Sequence, residues 1–142
     1  MTENDNPDDA QASQDENYRS ISLRTPSPVK RPFKLAVVGA TGVVGRETLS
    51  ILAERGFPIA ELKALASARS AGEQVDFGEE QLVVEEVTED SFDGVEVAFF
   101  AAGGSVSKKW IPIATAKGAV CIDKSSGFRM DPDVPLVVPT VN

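Results

Sequence analysis

Apolar positions are sparse over the first 32 residues and dense from there on. Up to Pro32 the sizeable apolar groups are Tyr18, Ile21, Leu23 and Val29, scattered among Asp, Asn, Gln, Ser and Pro. Such a stretch buries too little surface to offset about 1–2 kcal/mol of backbone entropy per residue, so residues 1–32 are expected to form a disordered tail. The tail begins acidic (Glu3, Asp5, Asp8, Asp9, Asp15, Glu16) and turns basic and proline-rich (Arg24, Pro26, Pro28, Lys30, Arg31, Pro32). A solvated leader and a docking arm are both compatible with that pattern.

From Phe33 the pattern alternates between strand-like and helix-like segments. Phe33 to Val38 is a β-branched, apolar run that predicts a strand. Helical spacing follows over Thr41 to Arg55, with Val44, Thr48, Ile51 and Leu52 on the inner face and Gly56 as the stop. Leu62 to Ala66 predicts a second strand, and Glu73 to Phe77 with Gln81 to Glu86 a hairpin about Gly78. Val95 to Phe100 and Ala119 to Asp123 predict strands on either side of a helix over Val106 to Lys117, and Leu136 to Val138 a last short strand. Strands alternating with helices imply βαβ crossovers. The expected fold class is therefore α/β, a Rossmann-like, mainly parallel sheet over residues 33–142. No helix follows the last strand, so the sheet is expected to be incomplete, with exposed apolar faces, marginal stability and a tendency to associate.

Composition narrows the chemistry. A length of 142 residues suits one domain. A formal charge of −8 argues against nucleic acid or an anionic membrane as partner. No apolar run is long enough to span a bilayer, and the acidic N-terminus resembles neither a secretory signal nor a transit peptide, so a cytoplasmic location is expected. One cysteine, Cys121, and no histidine exclude an internal disulfide, a zinc site and any Ser/His or Cys/His pair built from this chain alone. Cys121 lies in an apolar strand and is expected to be buried and inert.

Four loops remain as candidates for binding. Gly39, Thr41, Gly42, Val43, Val44 and Gly45 make a glycine turn between the first strand and first helix, where backbone N–H groups can hold a pyrophosphate. About 20 residues on, where an acid would select NAD, the loop Ser67 to Gly72 instead offers Arg69 and Ser70, which suit a 2′-phosphate and hence NADP. Gly103 and Gly104 follow the third parallel strand and can lie against the cofactor, with Ser105 as the expected helix cap. The loop Asp123 to Arg129 offers hydroxyls and two cations, a candidate anion site for substrate rather than cofactor.

In order and spacing, these loops resemble the aspartate-semialdehyde dehydrogenase family. The stretches are Val38 to Gly45, Ala66 to Gly72, Ala102 to Ser105 and Phe128 to Pro139; the second and fourth are the more specific. The resemblance implies NADPH-dependent reduction of aspartyl phosphate, in lysine, threonine and methionine biosynthesis. It implies that Thr41 to Val44 hold the pyrophosphate, that Arg69 and Ser70 meet the 2′-phosphate, and that Arg129 binds the phosphorylated small-molecule substrate. It also implies a homodimer or tetramer. Lys124 and Thr140 depart from the family, where Asn and Glu are common. The family's nucleophilic cysteine, general acid/base histidine and second domain find no match here, so no residue is assigned a catalytic role and the chain alone is expected to be inactive. Alternatives are an N-acetyl-glutamyl-phosphate reductase-like fragment and a stand-alone, non-catalytic NADP-binding module. A short-chain reductase is disfavoured because Tyr18, the one tyrosine, lacks the Tyr-x-x-x-Lys spacing.

Overall fold

A computed structural model describes residues 31–141 of the chain. All but the last two residues of the expected tail lie outside them. Arg31–Val134 forms one unit that carries every strand and helix described, and Pro135–Val141 falls in a second.

The first strand, β1 (Phe33–Val38), is buried on both faces from Leu35 onward, which is why it reads as a nearly continuous apolar run. It pairs in parallel with β2 (Ile59–Ala66) on one side and β6 (Val97–Phe100) on the other. Two shorter strands, β5 (Glu85–Glu86) beside β2 and β7 (Val120–Asp123) beside β6, complete a five-stranded parallel sheet of order β5-β2-β1-β6-β7. The remaining strands, β3 (Gln74–Phe77) and β4 (Glu80–Val83), make a separate antiparallel hairpin.

Two helices supply the crossovers. Helix α1 (Val43–Glu54) lies over one face of the sheet, packing Leu49 and Leu52 with Leu35, Val37 and Ala64; Val75 and Val84 from around the hairpin join the same cluster. Helix α2 (Gly104–Ala116) and a 3-10 turn at Glu89–Phe92 cover the other face, where Phe92, Phe100, Ala98 and Ala114 pack with Ala36, Val38 and Leu65. The chain leaves β1 for β2 and later returns to the opposite side of β1 as β6. The carboxyl ends of β1 and β6 therefore flank a topological switch point, where open α/β sheets bind ligands.

Several local expectations are corrected. The buried face of α1 is Gly45, Leu49 and Leu52, whereas Val44 and Ile51 are exposed, so the inner stripe is rotated from the one predicted. The close packing of Gly45 on the preceding turn, described below, sets that phase. The Gln81 to Glu86 segment splits at Val84: its N–H bonds the Glu73 carbonyl, its carbonyl accepts the Gly72 N–H, and its buried side chain closes the hairpin before the chain joins the main sheet. Helix α2 begins two residues earlier than predicted. Its cap position is Gly103, and Ser105 lies inside the helix rather than capping it.

Leu136 to Val138 forms no strand. Pro135 and Pro139 bracket it, leaving three consecutive N–H donors, and proline is excluded from central strands. The segment runs exposed into a turn in which the Val141 N–H bonds the Val138 carbonyl at 2.9 Å. At the sheet edge, Val120 and Ile122 of β7 are exposed.

Candidate functional site

The glycine turn is shaped by backbone contact. Gly39 has φ +85°, and a Cβ there would lie 2.8 Å from the Ala102 nitrogen and 2.9 Å from the Ala101 carbonyl carbon. A Cβ on Gly45 would sit 2.0 Å from the Gly39 carbonyl oxygen. Both positions need glycine for the protein's own packing. Gly42 does not: its φ is −80°, and an added Cβ would meet only the Gly39 oxygen, at 3.6 Å. The turn is held by the Gly39 and Ala40 N–H groups on the Leu65 carbonyl and the Gly42 N–H on the Gly39 carbonyl. Arg46 reaches back to donate from Nε to the Thr41 carbonyl at 2.9 Å.

Both helices that start at the switch point start bare. Gly42 caps α1 and Gly103 caps α2, neither with a side-chain hydrogen bond, and neither first turn carries an acid. The first-turn N–H groups have no acceptor within their own helices, and the positive ends of both macrodipoles are left uncompensated. That arrangement favours an anion with several acceptor oxygens.

A cleft of about 330 Å3 lies between these elements. Gly39, Thr41 and Gly42 line it on one side, Ala66, Ser67 and Ser70 on another, and Ala101, Ala102, Val106 and Trp110 beyond. Its size and its mix of apolar walls with a few polar groups suit a small-molecule site. A larger groove of about 720 Å3 runs between α1 and the hairpin turn at Gly78, but Arg46, Glu47, Glu54 and Asp76 line it with mixed charge. We place the site at the smaller cleft, because it sits at the carboxyl ends of the strands.

Gly39, Thr41, Gly42 and Ser70, four of the expected residues, share this cleft. Arg69 is exposed on the adjoining loop, without a hydrogen bond or ion pair among the described residues, and is not part of the lining. Gly45 is buried in the packing of the turn, whereas Val43 and Val44 stand exposed at the start of α1. Gly103 and Gly104 begin α2; nothing lies within 4 Å of where a Gly103 Cβ would be, and Gly104 touches Gly127. Arg129 is exposed in a turn after β7, its N–H on the Ser126 carbonyl at 3.2 Å.

Val87, Val106 and Trp110 are lining residues that sequence patterns did not single out. Trp110 is the one tryptophan of the chain, packed on Phe92 at 6.2 Å between ring centroids with the Lys109 ammonium 4.8 Å from its own ring centre. In the sequence it is one apolar position within the helix predicted over Val106 to Lys117, and nothing local marks it as a ligand wall.

Cys121 is half-buried rather than fully buried, because β7 is an edge strand. Burial pushes its thiol pKa up; the Thr115 hydroxyl, 3.6 Å away, pulls the other way, and the Asp123 carboxylate adds to the rise. It therefore stays a neutral thiol and a poor nucleophile at neutral pH.

Residues 34–142 match the family model described as the NAD-binding domain of semialdehyde dehydrogenase. The aspartate-semialdehyde dehydrogenase of Prochlorococcus marinus is 51% identical over 122 residues, which are 86% of this chain and 35% of that protein. A crystal structure of aspartate-semialdehyde dehydrogenase II from Vibrio cholerae aligns with a TM-score of 0.73 at 48% identity, covering 77% of this chain and 32% of that one. The Candida albicans enzyme, solved with NADP, aligns with a TM-score of 0.60 at 25% identity, covering 76% and 34%. The chain spans about a third of the length of these relatives.

Proposed function

We propose, on the premise that this chain belongs to the family of semialdehyde dehydrogenase NAD-binding domains, that it is the NADP-binding part of an aspartate-semialdehyde dehydrogenase. The observation that carries this reading is the pair of bare helix starts, at Gly42 and Gly103, on either side of one cleft. Gly42 is the telling position, because the protein's own packing does not require glycine there and a close-lying ligand does.

Under this reading the N–H groups at the starts of α1 and α2 hold the pyrophosphate, with Thr41 to Val44 around it. Arg69 and Ser70 meet the 2′-phosphate, because a guanidinium and a hydroxyl suit a phosphate monoester and no acid on that loop precedes Glu73. Val87 and Trp110 wall the adenosine end. The bound cofactor, when reduced, supplies a hydride. Arg129 takes the phosphate of an aspartyl phosphate substrate, and the relatives' names favour that substrate over an N-acetyl-glutamyl one. None of the described residues is assigned the nucleophile, and a cytoplasmic homo-oligomer is the expected working form of the whole enzyme.

Titration of the chain with NADPH and NADH, followed by Trp110 fluorescence, tests the assignment. NADPH should bind more tightly, and Arg69→Ala should weaken NADPH by about tenfold while leaving NADH unchanged, the loss expected for one charge-assisted contact. Equal binding of the two cofactors, insensitive to Arg69, would sink the 2′-phosphate role. No binding of either would sink the cofactor reading for this chain.

A further inference from the structure

Ser107 is the one polar side chain buried among the described residues, at 0% exposure. It lies one turn inside α2 from Gly103 and Gly104, and its hydroxyl donates to Asp123 Oδ1 at 2.9 Å. Asp123 is the last residue of β7. The same Oδ1 accepts the Ser125 N–H at 2.9 Å, and Ser125 Oγ stands 3.0 Å from Asp123 Oδ2 and 3.1 Å from Ser107 Oγ. Ser125 Oγ in turn accepts the Gly127 N–H at 3.1 Å. Where the network ends, the backbones touch: a Cβ on Gly127 would lie 3.1 Å from the Gly104 oxygen, and one on Gly104 would lie 3.3 Å from the Gly127 Cα.

A turn that merely needed an aspartate would be served by the Ser125 N–H alone. Here the carboxylate also reaches a fully buried hydroxyl on a different element. A polar group is kept in such a place only when its hydrogen bonds are complete, and a complete network holds one geometry. The two segments that it joins are the start of α2 and the Lys124 to Arg129 loop.

We propose that Asp123 is a positioning residue which, through Ser107 and Ser125, registers the Gly103–Gly104 helix start against the Lys124 to Arg129 loop. The pyrophosphate and nicotinamide half of the dinucleotide and the anionic substrate then meet one preset geometry. This rests on the cofactor reading above. The adenosine half, bound by the Ser67 to Ser70 loop and by Trp110, which is anchored on Phe92 rather than through Ser107, depends on the clamp far less.

That difference gives the test. NADPH and adenosine 2′,5′-bisphosphate are titrated into the 142-residue chain, into Asp123→Ala and into Asp123→Asn. Asparagine keeps the Oδ1 acceptor for the Ser107 hydroxyl and the Ser125 N–H, and its Nδ2 can donate to Ser125 Oγ, so it should retain NADPH affinity near that of the unmodified chain. Alanine should lose about tenfold for NADPH and less than about twofold for the bisphosphate, as expected when one buried hydrogen-bonded anchor is removed. Equal losses for both ligands, no loss for NADPH, or an asparagine variant as weak as alanine would each overturn the proposal. Ser107→Ala carries the same comparison if Asp123→Ala does not fold.

Should neither ligand bind the unmodified chain, the cofactor reading fails and amide hydrogen exchange judges the clamp by itself. Asp123→Ala should then speed exchange in residues 103–107 and 124–129 together, with β1 unchanged. Unchanged exchange in either segment overturns the clamp.

Discussion

The helix starts in this fold are treated in two opposite ways. At Thr88 the chain invests in closure: Thr88 and Ser91 form a capping box, Ser91 Oγ accepts the Thr88 N–H at 2.9 Å, and Glu89 and Asp90 put negative charge in the first turn. That is done for a 3-10 turn of four residues. The starts of α1 and α2, three times as long, have glycine at the cap position, no side-chain bond and no acid. The longer helices have the larger dipoles and more to gain from a cap. Leaving them bare costs stability in the free protein, and the two that are bare are the two at the switch point. The difference marks where a ligand is expected to do what a side chain does elsewhere.

The largest way to break this comparison is to disturb the glycine turn itself. Gly45→Ala places a methyl group 2.0 Å from the Gly39 oxygen, a backbone atom that cannot swing away. We expect a loss of more than about 3 kcal/mol, read as a large drop in urea midpoint or a failure to fold. Gly42→Ala is the control, because its methyl group meets ordinary contact at 3.6 Å. It should fold with little change in midpoint and bind NADPH poorly. If Gly42→Ala destabilises the free chain as much as Gly45→Ala, the distinction between a packing glycine and a ligand glycine is wrong.

The second prediction turns one class of helix start into the other. Gly103 has extended backbone (φ −70°, ψ 168°) and open space at its Cβ, so aspartate fits there and can cap α2. Gly103→Asp should stabilise the free chain by about 0.5–1 kcal/mol, the usual worth of a cap, while its charge weakens NADPH by about tenfold or more. A gain in stability paired with a loss in binding is the signature of a site kept open for function. The reciprocal change, Thr88→Ala, should lower stability by about 1 kcal/mol and leave NADPH binding untouched. Calorimetric melting and a nucleotide titration on each variant separate the two outcomes.

How far this contrast is legible in the sequence differs between its parts. The strand, the glycine turn and the following helix are visible because each is a local pattern: an apolar run, three glycines at fixed spacing, then helical periodicity. The phase of α1 is not, because Val43 and Val44 look like core residues although the inner face is set by the fit of Gly45 on Gly39. Ser105 is the residue a cap preference selects, yet the helix begins at Gly104, where the chain meets Gly127, 23 positions further on. Trp110 and the Ser107–Asp123–Ser125 network were out of reach for the same reason: what matters in them is contact between α2 and segments distant in sequence, and no local pattern encodes it. Leu136 to Val138 shows the converse, an apolar run whose flanking prolines outweigh its strand propensity.

The smallest effect concerns the far end of α2, where the same helix that starts bare is finished with care. The Lys117 N–H meets the Ile113 and Ala114 carbonyls at 3.2 Å, and Gly118 follows in the left-handed region at φ +95°. The Lys117 ammonium, a favourable charge at a helix C-terminus, donates to Asp93 and lies 3.8 Å from Asp90. Its hydrogen bond to Asp93 holds its pKa above the ordinary lysine value; desolvation opposes the rise, and the charges of Asp93, Asp90 and Glu89 support it. A proton held more tightly in the folded chain than in the unfolded one stabilises the fold fully below the ordinary lysine value. The contribution is lost as pH rises through the elevated one. Lys117→Gln should therefore lower the urea midpoint by a constant amount from neutral pH to about pH 10, where the partner carboxylates are charged, and the gap should close above it. Because these groups are solvent-exposed, added salt should narrow the gap at every pH. A gap that persists unchanged through the alkaline range would mean that Lys117 acts through its aliphatic stem, and that only the bare end of α2 is governed by charge.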